Sequence, residues 1–156
     1  MNTPGRYSER LTAMDAAFLV LEKPHSPLHV SCTLIYETGP LAKPGGGVDF
    51  AAYRAATESV LHRIARYRQR LQWIPVFGHP VWVDDASFDL DYHLRHTSLP
   101  RPGGLEELER LSARIMAQPL DLSKPPWEST TSLPPVVGPG SKWAGEASEQ
   151  NTSCFA

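Results

Sequence analysis

The side chains that could do chemistry in this sequence are few and scattered. His93 and His96 form an H-x-x-H spacing. On a helix, that spacing puts two imidazoles on one face. Residues 87–97, SFDLDYHLRHT, instead alternate apolar and polar, which predicts a strand whose residues three apart point to opposite faces. A shared metal ion is therefore not expected, and the alternation predicts a surface His93 and a half-buried His96. Asp84, Asp85, Asp89 and Asp91 lack the central Gly and distal Glu of a calcium loop and read as the solvent face of an edge strand. His25 and His29 flank a corner at Pro24–Pro27 before the first strand. They are the positions best placed to touch a substrate, but no nucleophile or acid accompanies them. Arg63, Arg66, Arg68 and Arg70 could hold a phosphate group and read better as the solvated end of a helix. Gly45–Gly47 lacks the Lys-Ser/Thr that completes a phosphate loop. Cys32 reads as a small core residue, and the Asn151-Thr152-Ser153 sequon has meaning only on a secretory route. No catalytic residue, cofactor-binding residue or metal ligand is assigned on these patterns.

The elements that must position these groups are legible from spacing. Residues 8–22 predict a helix with Leu11, Met14, Phe18 and Leu21 on its apolar stripe and Thr12 as its cap. Residues 28–37 predict a strand with Val30, Cys32, Leu34 and Tyr36 on one face. Asp49 is a candidate cap for a helix over 50–67. Residues 71–77 and 80–84 predict a hairpin around Gly78-His79. Residues 105–118 predict a helix buried along Leu105, Leu108, Leu111 and Ile115, with Glu106, Glu107 and Glu109 early and Arg110 and Arg114 late, as the helix dipole prefers. Helix, strand, helix, several strands, helix is a mixed α+β order. Beyond Glu128 the pattern fails: half of residues 129–156 are Ser, Thr, Pro or Gly, and disorder is expected there. The domain reading is thus 8–128 as folded and 129–156 as tail.

Composition bounds the rest. The chain has 156 residues, 41% hydrophobic, with 15 Lys+Arg against 17 Asp+Glu. That is enough apolar material for one domain, and the charge balance excludes a strongly basic nucleic-acid binder. No apolar run reaches the roughly 20 residues of a membrane span, and the first ten residues lack a secretory apolar stretch. Two cysteines make no disulfide framework. A cytoplasmic chain is expected.

Five stretches together resemble the N-terminal part of the bacterial wax ester synthase/diacylglycerol acyltransferase family. They are LTAMDAAFLVLE (11–22), PLHV (27–30), RYRQRL (66–71), PVWVDDASFDLDYHLRH (80–96) and QPLDLSKPPWE (118–128), the last with Pro126 where Leu is usual. The resemblance spans about residues 8–128. It implies an incomplete N-terminal portion of the CoA-dependent acyltransferase fold shared with chloramphenicol acetyltransferase and condensation domains. It also implies transfer of a fatty acyl group from acyl-CoA to a diacylglycerol or long-chain alcohol, with acyl-CoA as substrate and no bound cofactor. In the family a histidine of an H-H-x-x-x-D-G motif acts as base. This sequence contains neither a His-His pair nor an Asp-Gly, and after Trp127-Glu128 it has the irregular look of an out-of-frame translation.

Three readings follow. The chain is an acyltransferase head that is inactive alone. It is a fragment that associates with a second acyltransferase chain. Or it is a non-catalytic module for a membrane or lipid-droplet surface, through the helix that carries Phe18 and Leu19–Leu21. Unpaired apolar strands also predict oligomers or poor solubility, which size-exclusion chromatography checks.

Overall fold

A computed structural model describes residues 8–23, 25–37, 39–43, 47–75, 78–133 and 150–155. The elements run β1 (Ser8–Arg10), α1 (Ala13–Leu21), β2 (Cys32–Glu37), α2 (Phe50–Leu61), β3 (Gln69–Trp73), β4 (Pro80–Asp84), α3 (Leu90–His93), β5 (Leu94–Ser98), α4 (Leu105–Met116), β6 (Ser129–Leu133) and β7 (Gln150–Phe155). They build a mixed α+β structure with two sheets. One is antiparallel in the order β1-β4-β3. The other has the order β2-β7-β6-β5, with β5 and β6 parallel and the remaining pairs antiparallel.

Local chemistry sets the helix starts. The Thr12 hydroxyl accepts from the Asp15 backbone N–H at 3.1 Å, and the Asp49 carboxylate accepts from Ala52 at 3.0 Å. Each satisfies one of the donors left open at a helix N-terminus. At α4 the Glu107 carboxylate reaches back to the Gly104 N–H at 2.8 Å. The predicted hairpin forms, with Leu71 opposite Trp82 and Trp73 opposite Pro80.

Several expectations are corrected. The first helix starts at Ala13 rather than at residue 8, because Ser8–Arg10 pair with β4 instead. The second helix stops at Leu61; Ile64 is extended, and a 3-10 turn over Ala65–Arg68 leads into β3. The four arginines therefore lie beyond the helix and do not complete its dipole. Arg66 pairs with Glu9 at 2.9 Å and stacks over Trp82, while Arg68 lies over Phe88. Residues 87–97 are not one strand. Asp85 accepts from the Ser87 N–H and hydroxyl, and Asp89 caps the helical turn α3, so only Leu94–Ser98 is extended. Short carboxylates that bond nearby backbone compete with a strand ladder, and period-two alternation cannot reveal that competition. The four aspartates accordingly have separate roles rather than one solvent face: Asp84 accepts from Gln69, Asp91 pairs with Arg54, and β4 is the centre of its sheet, not an edge.

The segment expected to be a disordered tail contributes β6 and β7; residues 134–149 and 156 lie outside the described residues. β5, α4 and β6 form a parallel crossover, the connection that parallel neighbours require. Its Ser/Thr-rich strand gives no apolar signal, so pairing with β5 determines its structure. The Gly45–Gly46 part of the glycine loop and the side chains of Asn151-Thr152-Ser153 also lie outside the described residues.

Among the described residues the core includes two apolar clusters. Leu61, Leu90 and Leu94 pack with Phe50, Tyr53, Phe88 and Trp127. Leu99, Leu108 and Leu111 pack with Ile115, which bears out three of the four stripe positions of α4; Leu105 is exposed. The Thr33 and Ser112 hydroxyls meet at 3.0 Å and tie α4 to β2.

Candidate functional site

The most constrained chemistry in the chain surrounds His93. Asp89 starts the short helix α3, and α3 carries the imidazole inward, so His93 is only 1% exposed. Its ring lies between Trp127, at 4.5 Å and 16°, and Phe88, at 5.1 Å and 14°, with Tyr92 edge-on. Nδ1 is 2.7 Å from the Trp127 carbonyl oxygen. A carbonyl only accepts, so Nδ1 carries the proton and donates. The Trp127 indole N–H in turn donates to the Tyr67 carbonyl at 2.9 Å. Burial holds the His93 pKa below its ordinary 6.5, against the Trp127 carbonyl and the Glu128 charge, which raise it. His93 is therefore a neutral imidazole with Nδ1 engaged.

Around it, Glu128 accepts from Arg95 at 3.1 Å, and Arg95 and Lys124 lie over the Tyr92 ring. Burial, then the Glu128 charge, raises the Tyr92 pKa. The cluster thus locks the segment Pro125–Glu128 onto α3 and the 3-10 turn, and so sets where β6 enters the sheet. Its chemistry is positional: a buried ring between two aromatic planes has no open face for a substrate.

This reverses the expected histidine pair. His93 is buried and His96 is exposed, stacked on Phe50 at 5.2 Å. Among the described residues no group of three His, Cys, Asp or Glu is arranged to hold a metal ion. His25 is exposed in the turn closed by Lys23 and Ser26. His29 is half-buried, and its Nδ1 has no hydrogen-bond partner among the described residues. Among the described residues neither is brought against an acid or nucleophile. Cys32, expected in the core, is exposed. The contact between His93 and Trp127 was not deduced from the sequence, although the aromatic run Phe88, Tyr92, His93 and the distant Trp127 were its raw material.

Phe88 also lines a cleft of about 280 Å³ shared with Arg54, Glu58, His62, Arg68 and Asp89. That is at the lower limit of ordinary small-molecule pockets, about 300–1,000 Å³. Within it Arg54 bonds Glu58 at 2.9 Å, and Arg54 also bonds Asp91 outside the cleft, which raises the Arg54 pKa. It does not suit a long acyl thioester.

Residues 11–131 match the wax ester synthase/diacylglycerol acyltransferase catalytic domain. A probable diacylglycerol O-acyltransferase of Mycobacterium tuberculosis is 42% identical over 120 residues, which are 76% of this chain and 42% of that protein. A second, putative one from the same organism is 38% identical over 121 residues, 77% of this chain and 24% of that protein. The chain thus spans less than half the length of these curated relatives. Among solved structures, a wax ester synthase/diacylglycerol acyltransferase from Marinobacter aquaeolei VT8 superposes with a TM-score of 0.66 at 26% identity, over 94% of this chain and 33% of that one. The starter condensation domain of rhizomide synthetase superposes with a TM-score of 0.62 at 13% identity, over 96% of this chain and 32% of that one, and shares the fold. The chain belongs to the wax ester synthase/diacylglycerol acyltransferase family, and it represents an N-terminal part of that family's domain.

Proposed function

We propose that this chain is the structural head of an O-acyltransferase that moves a fatty acyl group from acyl-CoA to a diacylglycerol or long-chain alcohol, and that it makes no ester by itself. The observation that carries the reading is the match over residues 11–131, in order, to the catalytic domain. The inactivity follows from chemistry. Attack of a hydroxyl on a thioester needs a base to take the alcohol proton. The His-His-x-x-x-Asp-Gly base of the family has no counterpart in these 156 residues. His93 is no substitute, because its ring is enclosed and Nδ1 is held by Trp127. Acyl-CoA is the substrate in this reading, with no resident cofactor, and the partner is a polypeptide that supplies the base.

No helix among the described residues is long and apolar enough to cross a membrane. Peripheral contact with a membrane or droplet remains a second reading, favoured by the exposed Phe18 and Leu21 of α1. The test is acyl transfer by the purified chain from palmitoyl-CoA to dioleoylglycerol or hexadecanol. No ester above the no-protein control is expected. Ester formed in proportion to the chain overturns the reading.

A further inference from the structure

Two elements of this chain have the composition of a core and the exposure of a surface. α1, AMDAAFLVL, has one charge, Asp15, and no buried residue. Val20 is 77% exposed and Leu21 64%. A helix apolar nearly all round belongs inside a larger domain. β2 has the same mismatch. Leu34 and Tyr36 lie on one face and Ile35 on the other, and all three are exposed. A strand apolar on both faces belongs to a sheet covered on both sides; the Thr33 face of β2 already meets Ser112 of α4, and the Leu34 and Tyr36 face is left exposed. Between these elements, the His29 Nδ1 is buried with no partner among the described residues, and a buried polar atom normally has one.

We infer that α1 and the Leu34 and Tyr36 face of β2 are the surface that receives the remaining part of a wax ester synthase/diacylglycerol acyltransferase domain. The inference rests on the family reading above and names the face through which it operates. The occupant is indicated by how much of the fold is accounted for: this chain overlays 33% of the Marinobacter enzyme chain while using 94% of its own length. Lipid is a poorer occupant. Interfacial helices carry Lys or Arg on a polar face, whereas α1 has none and its only charge is acidic.

The test mixes the 156-residue chain with a polypeptide comprising the part of the Marinobacter enzyme that this chain does not overlay. Light scattering after size exclusion reads the complex. A one-to-one complex is expected, weakened at least tenfold by Val20→Asp with Leu21→Asp. Circular dichroism of the free double variant stays unchanged, because neither side chain is buried in the free chain. As a second arm, residues 11–131 are fused in front of the same polypeptide, which removes the need for association. Hydrogen exchange across α1 and β2 then slows relative to the free chain. Three results overturn the inference: a homodimer that the polypeptide does not displace, binding to dioleoylglycerol-containing vesicles abolished by the double variant, or no complex together with unchanged exchange or an insoluble product in the fusion. Acyl transfer is measured separately. A complex that makes no ester keeps the interface and removes the catalytic reading.

Discussion

Replacing His93 separates the two contributions that hold the aromatic cluster together. His93→Ala removes a ring that is 1% exposed and stacked at 4.5 Å and 5.1 Å between Trp127 and Phe88. Large-to-small changes in a core cost about 2–5 kcal/mol. The Trp127 carbonyl also loses its donor, and an unsatisfied buried acceptor costs about 1–3 kcal/mol. His93→Phe keeps an aromatic plane and loses only the hydrogen bond, so its cost is about 1–3 kcal/mol. Folded domains have only about 5–15 kcal/mol in hand, so the alanine variant lies near the edge of folding.

The pH dependence carries a sign. The imidazole in the unfolded chain titrates near 6.5, and burial lowers the folded value. Below pH 6.5 the unfolded state therefore binds more protons than the folded state. Stability is fully present above 6.5, falls as the pH drops, and levels off below the folded value, with a slope of at most about 1.4 kcal/mol per pH unit. His93→Phe lacks that component. Urea unfolding followed by tryptophan fluorescence at pH 7.5 and pH 5.5 reads both effects. A phenylalanine variant as stable as the parent at pH 7.5 refutes the hydrogen-bond reasoning. A parent chain that gains stability relative to the phenylalanine variant on acidification refutes the sign.

Other substitutions follow from the same contacts. Thr131 and Ser132 are wholly buried, and their hydroxyls have no hydrogen-bond partner among the described residues. Thr131→Val and Ser132→Ala each remove that desolvation cost and are expected to raise the melting temperature, by the equivalent of about 1 kcal/mol each; a fall in either melt refutes the assigned burial. Glu107→Ala removes the bond to the Gly104 N–H and costs about 1 kcal/mol. Glu107→Gln retains most of that stability, and circular dichroism melts distinguish the two.

How much of this was legible in the sequence depended on whether the signal was local. The caps at Thr12 and Asp49, the hairpin of 71–77 with 80–84 and three of the four stripe positions of α4 rest on neighbours a few residues apart, and the structure bears out the caps, the hairpin pairing and those three positions. Burial was less legible. Met14, Phe18 and Leu21 mark an apolar stripe on α1, and Leu34 marks an apolar face on β2, yet all are exposed. Apolar patterning reports that a face is to be covered, not that this chain supplies the cover. The 87–97 segment failed for a different reason: Asp85 and Asp89 bond backbone two residues on and turn the chain before β5 begins. His93 therefore points inward to Trp127, thirty-four residues away in sequence, a distance over which periodicity carries no information. β6 was missed because STTSL has no apolar alternation to mark it as a strand.

On the proposed reading, residues 11–131 are a working part of an acyltransferase domain and lack only what the rest of the domain provides. The direct measurement places these residues in the Mycobacterium tuberculosis relative that is 42% identical, in exchange for its matching segment. Ester formation from palmitoyl-CoA and dioleoylglycerol is then compared with that of the 156-residue chain alone. Triacylglycerol from the exchanged protein and none from the chain is the predicted result. A folded exchanged protein that makes no ester, beside an unmodified relative that does, contradicts the claim.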